Sequence, residues 1–128
     1  MYRQDWLMRQ IETITRYVFS LLLGRVSELR SDVHLETKRP DAGDANPLSF
    51  RLAALLREER PGEAEDLLFA AVEAGDPEAL TAGLRFYEAL NELPDETLAR
   101  CDFPREEILS GLRELCAAYG YDLSVLGM

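Results

Sequence analysis

Three adjacent acid pairs, Glu58-Glu59, Glu65-Asp66 and Glu106-Glu107, are the groups in this sequence best suited to chemistry. Paired carboxylates act as general acid and base only where burial or a neighbour moves their pKa values. Each pair falls on the polar side of an amphipathic helical stretch, so all three are read as solvated faces. The single histidine, His34, stands in a polar stretch with the single lysine, Lys38, and has no orienting partner nearby in sequence. Cys101 and Cys116 form no C-x-x-C pair, and structural zinc needs four ligands. They sit among apolar residues at helical spacing and are read as buried free thiols, although spacing alone leaves a disulfide open. No G-x-G-x-x-G, Walker loop, H-E-x-x-H or G-x-S-x-G occurs. These residues imply no catalytic group, cofactor, metal or small-molecule ligand, and the chain is expected not to be an enzyme.

The elements that would position any site are helices. The chain has 128 residues, 47% of them hydrophobic, enough for one domain with its own core. Its net charge of -10 disfavours nucleic-acid binding, which needs cations to neutralise phosphates. Residues 1–30 carry five arginines against three acids, so the excess of acid lies in the remaining body.

The opening "MYRQDWLMRQIETITRYVFSLLLGR" is too often interrupted by charge to be a secretory signal. Its longest apolar run, 17–23, is about a third of what a membrane span requires. Helical spacing fits instead. Leu7, Ile11, Ile14, Val18 and Leu22 share one face, opposite Asp5, Arg9, Glu12 and Arg16. Val26, Leu29 and Val33 extend the stripe, so a helix is expected to about residue 30, with Gly24 as an interior weak point or its end. Over 17–23 the apolar stripe widens to nearly the whole circumference, so this part needs cover on several sides.

Residues 31–47 are polar, hold two prolines and lack periodicity, which predicts a linker. Residues 48–128 predict a helical domain. Asn46-Pro47 starts a helix carrying Leu48, Leu52, Leu55 and Leu56 inward. After the break at Arg60-Pro61-Gly62, a second carries Ala64, Leu67, Leu68, Ala71 and Val72, and Gly75 ends it. Asp76-Pro77 caps a helix over 77–92 with Leu80, Leu84, Tyr87 and Leu90 inward, where Gly83 lets a neighbour approach. Leu93-Pro94-Asp95 caps a short helix with Leu98. The last begins at Pro104 and carries Ile108, Leu109, Leu112, Leu115, Cys116 and Tyr119. Gly120 is expected just past its end, with Tyr121 folding back on Cys116. In Arg85-Phe86-Tyr87, a cluster of the kind that lines partner grooves, the two aromatics are read as core and Arg85 as solvated.

The small–large–small set Ala64, Leu68 and Ala71, with Pro77 at the close, resembles a tetratricopeptide repeat over 48–77. Its first helix departs from that pattern, with no Trp and no Leu-Gly pair, and 77–119 looks like a more degraded second hairpin. The opening "YRQDWLMRQIE" and the later "LREERPGEAEDLLF" are similar to a family of small bacterial proteins catalogued as a domain of unknown function, with tetratricopeptide-like helices. The match is most specific at Gln4-Asp5, Leu7-Met8-Arg9 and 63–68. It implies a bacterial, cytoplasmic protein and brings no catalytic residues.

The expected fold is therefore all-α: an antiparallel helical array of tetratricopeptide-like hairpins preceded by a long amphipathic N-terminal helix. The expected function is a non-catalytic protein–protein interaction module that self-associates as a homodimer through that helix or binds another protein. The candidate contact residues are Leu7, Ile11, Ile14, Val18, Phe19 and Leu22. The bland alternative has the helix folding back on its own domain. A further one is docking on an anionic membrane surface through Arg9, Arg16 and Arg25; Asp5 and Glu12 on the same polar face weigh against it.

Overall fold

A computed structural model describes residues 2–32 and 47–126, with side chains over 5–23, 47–124 and 126. Among them the chain forms six α-helices and one 3-10 turn, with no strand: an all-α fold. They are α1 (Tyr2–Asp32), α2 (Pro47–Arg57), α3 (Pro61–Glu73), α4 (Ala79–Asn91), α5 (Asp95–Arg100) and α6 (Arg105–Ala118), then a turn at Leu123–Leu126. Of the expected linker 31–47, residues 33–46, with Val33, His34, Lys38 and the Asn46 cap, fall outside the described residues, while Ser31 and Asp32 end the first helix and Pro47 starts the second. Gly24 does not end the first helix, which continues to Asp32.

Helix ends follow the local chemistry. Pro61 stands at the first position of α3, where its missing N–H costs nothing. Four helices end on a residue in the left-handed region: Glu59 (φ 61°), Gly75 (φ 79°), Asp102 (φ 59°) and Gly120 (φ 79°). In each case the next N–H reaches back five residues, as Tyr121 does to the Cys116 carbonyl at 3.0 Å, the paired closure of a Schellman motif. Glycine takes this conformation freely, whereas a side chain strains it. Asp102 is exposed. Asp102→Gly is therefore expected to stabilise the fold by about 0.5–1 kcal/mol, read as a raised urea midpoint at unchanged slope.

Two expected caps differ from what forms. Asp76 accepts the Glu78 N–H at 2.9 Å, and α4 starts only at Ala79, so Pro77 and Glu78 belong to the turn. Asp95 does not cap α5; its carboxylate instead receives the Arg105 guanidinium.

α4 is the centre of the array. It packs against α1, α2, α3 and α6, while α1 also packs on α6 and α2 on α3. One apolar cluster joins Leu7, Ile11, Ile14 and Val18 of α1 to Leu84, Tyr87 and Leu90 of α4 and to Ile108, Leu112 and Leu115 of α6. Gly83 answers the expectation of a close approach: a Cβ there would lie 2.7 Å from Leu115 and 3.1 Å from Leu68. Tyr119, expected in the α6 stripe, is exposed, because the helix ends one residue before it and the chain turns away.

Candidate interaction surfaces

α1 lies antiparallel to α4. The Asn91 side-chain amide donates to the Met8 carbonyl at 3.2 Å at one end, and Arg85 stacks over the Phe19 ring, 5.8 Å from its centroid, towards the other. This seats the apolar stripe of α1 on its own chain. Of the six expected contact residues, Leu7, Ile11, Ile14 and Val18 are at most 2% exposed and form part of the core. In this conformation they are not a surface for a second chain. Periodicity shows that a face must be buried but not by what. Phe19 and Leu22, with Tyr17, are half-buried against the core edge. Beyond them Leu21 and Leu23 are exposed, the latter at 65%. Among the described residues, the cover expected around 17–23 is thus given on one side only.

A second apolar feature lies between α2 and α4. A cleft of about 410 Å³ is walled by Leu52, Ala53 and Leu56 from α2 and by Ala82, Phe86 and Ala89 from α4, with Leu93 at one end. Arg57 and Arg85 stand on its rim, both exposed. The expectation for Arg85-Phe86-Tyr87 holds: Phe86 and Tyr87 are buried against each other, with ring centroids 5.1 Å apart, and Arg85 faces out.

The third is acidic. Glu65, Asp66, Glu73, Glu107 and Glu114 line a cleft of about 480 Å³ between α3 and α6. Here one acid departs from the solvated reading. Glu65 is half-buried and accepts the Tyr87 hydroxyl at 2.6 Å. Gly111 of α6 leaves the room that this pair occupies. Burial pushes the Glu65 carboxyl above its ordinary range, the Tyr87 hydrogen bond pulls it back, and nearby Glu107, Glu114 and Asp66 add to the rise. The fully buried Tyr87 phenol is pushed up, first by burial. Because folding raises the Glu65 pKa above its unfolded value near 4.5, the folded chain takes up the proton first. The stability contributed by that proton grows as pH falls through the folded pKa. Comparing wild type with Glu65→Gln in thermal melts, the wild type is expected to gain on the variant as pH is lowered from 7 towards 4. A constant difference would show that Glu65 titrates normally.

Three further acids are paired in the ordinary way. Arg60 bridges Glu58 and Glu63, and Glu59 takes a two-pronged bond from Arg100 at 2.8 and 3.0 Å. That bond holds the Glu59 carboxyl below its usual range. Cys116 is buried and Cys101 half-buried; both are free thiols. Burial raises both, Cys116 to about 11, so neither is poised as a nucleophile. No group of His, Cys, Asp and Glu among the described residues could hold a metal ion. No helix among them is long and apolar enough to cross a membrane.

Sequence reasoning missed Arg105. It is 3% exposed and donates to Asn91 Oδ1 at 3.3 Å, to the Asn91 carbonyl at 3.0 Å, to the Leu93 carbonyl at 2.8 Å and to Asp95. Through Asn91 this network ties the start of α6 and the end of α4 to Met8 of α1. A signal was present in "FPREE". A cation in the first turn of a helix opposes the dipole that favours Glu106 and Glu107 there, so Arg105 had to be wanted elsewhere.

The fold defines a class, a small all-α protein built as a helical array around a central helix. Within that class, the chain belongs to a family of unknown function, DUF6483, whose model matches residues 1–120. No curated protein and no solved structure matches it.

Proposed function

We propose that the protein is a non-catalytic helical interaction module that self-associates through the apolar end of α1. The observation that carries this reading is the exposure of Leu21 and Leu23 beside half-buried Phe19 and Leu22. Exposed leucines grouped next to a core edge favour a partner face rather than water. The contact is thus moved along the helix, from the stripe that starts at Leu7 to its other end.

The array is tetratricopeptide-like in this reading. Its support is the packing order: α2 with α3 and α4 with α6 as hairpins, α2 and α3 both against α4. α1 packs on α4 and α6, where the first helix of a next hairpin would lie, and so caps one end of the stack. Stacked hairpins need such caps to stay soluble. The free thiols at Cys101 and Cys116 agree with a cytoplasmic, reducing setting.

Leu21→Glu with Leu23→Glu tests the reading. Both sites are exposed, so the melting temperature is expected to hold while self-association weakens at least about 100-fold. Unchanged association would place the contact elsewhere. A second reading, docking on an anionic membrane surface, draws on exposed Trp6, Arg9 and Arg16 of α1. Asp5 and Glu12 are exposed on the same helix and oppose it. Co-sedimentation of the wild type with vesicles rich in anionic lipid, lost at high salt, would favour docking over self-association.

A further inference from the structure

The cleft between α2 and α4 is a second surface, independent of the α1 contact, and its walls describe what fits it. On α2 the lining residues are Ser49, Leu52, Ala53, Leu56 and Arg57; on α4 they recur from Ala82 to Ala89. Each helix thus contributes one stripe at helical spacing, over about two turns or roughly 12 Å. The feature is a trough rather than a round hole. Ala53, Ala82 and Ala89 keep its walls low, which lets a third helix axis come close.

The charge on the rim is the decisive part. The lining includes no carboxylate, and the two charged groups are the guanidiniums of Arg57 and Arg85. Neither is bridged to an acid among the described residues, whereas Arg60, Arg100 and Arg105 all are. Arg85 is held at the rim by the Phe19 ring, which leaves its donors unused. In a chain of net charge -10, an acid-free apolar trough edged by two open guanidiniums runs against the general surface. It complements an apolar stripe flanked by carboxylates.

We propose that the α2–α4 trough binds an amphipathic helix of a partner protein, with apolar side chains seated between Leu56 and Phe86 and carboxylates paired to Arg57 and Arg85. Helix-in-groove recognition of this kind uses anchors at i, i+4 and i+7, the span that two turns of trough can hold.

The test uses four labelled peptides and the full chain carrying Leu21→Glu and Leu23→Glu, so that the α1 reading stands or falls separately. The first peptide is a four-turn helix with a leucine stripe flanked by glutamates. The second has lysine flanks, the third a central proline, and the fourth a scrambled order. Fluorescence anisotropy is expected to show the glutamate helix binding about tenfold more tightly than the lysine helix. Arg57→Glu with Arg85→Glu should reverse that order, and Ala53→Arg, at an exposed site on the wall, should abolish binding; unchanged melting curves would show that both variants fold. No binding of the glutamate helix at millimolar concentration would overturn the proposal. So would equal affinity for both flanks, indifference to Ala53→Arg, or equal binding of the proline-broken peptide, which would mark an extended ligand. A fall in the solution mass of the otherwise wild-type chain on Ala53→Arg would assign the trough to a second copy and overturn it as well.

Discussion

Arg105→Leu is expected to lower the folding free energy by about 3 kcal/mol, or roughly 12 °C in melting temperature for a chain of this length. The side chain is buried, and its removal leaves the buried Asn91 carbonyl and amide oxygen and the part-buried Leu93 carbonyl without their donor. Each such acceptor costs about 1 kcal/mol or more when left without a donor. The Asp95 partner adds little, because its side chain is 70% exposed and regains water once released. Asp95→Asn should therefore cost no more than about 1 kcal/mol. Arg105→Lys should recover only part of the loss, since one ammonium cannot span acceptors that a planar fork reaches together. Urea unfolding of the three variants checks the order Leu, then Lys, then Asn. Near equality of Arg105→Leu and Asp95→Asn would mean that the carbonyl contacts contribute nothing.

Gly111→Ala is expected to be comparably damaging, about 3 kcal/mol, although alanine is the better helix former by about 1 kcal/mol. A Cβ at 111 would fall inside contact distance of Glu65 Oε2 and the Tyr87 hydroxyl, and 2.9 Å from Tyr87 Cζ. The Tyr87 ring is fully buried and cannot step aside, so the substitution overpacks the α4–α6 contact and breaks the Tyr87–Glu65 bond. The same change at Gly83 meets methyl ends of Leu68 and Leu115, which can rotate, and should cost less. At Gly62, where a Cβ meets nothing within 4 Å, it should be neutral or mildly stabilising. The graded order of the three glycines, measured by thermal melts, separates helix propensity from packing. A stabilising Gly111→Ala would show that the contact with α4 is loose.

Much of this architecture is legible in the residues. The prolines at 47, 61 and 104 and the glycines at 75 and 120 punctuate the helices because their backbone chemistry is local. The inward stripes of α2, α3 and α4 are legible for the same reason, since a 3.6-residue period needs no knowledge of the partner. What that period leaves out is identity across the gap. Leu7, Ile11, Ile14 and Val18 read equally well as a face for a second chain or for α4 and α6, and only the assembled array decides between them. Glu65 reads as a solvated acid until Tyr87, twenty-two residues on, arrives beside it. Asp95 reads as a cap because the Arg105 that claims it sits in another helix. Of the α2–α4 trough only the Arg85-Phe86 pair stands out in the sequence, because its two stripes become one surface only when their helices lie side by side.

Sedimentation equilibrium of the full chain at micromolar concentration, beside the Leu21→Glu, Leu23→Glu variant, bears most directly on the proposed self-association. The wild-type mass is expected to approach twice the 14.5 kDa of one chain as concentration rises, and the variant to keep a single-chain mass with an unchanged melting curve. A wild type that stays at 14.5 kDa across that range would contradict it.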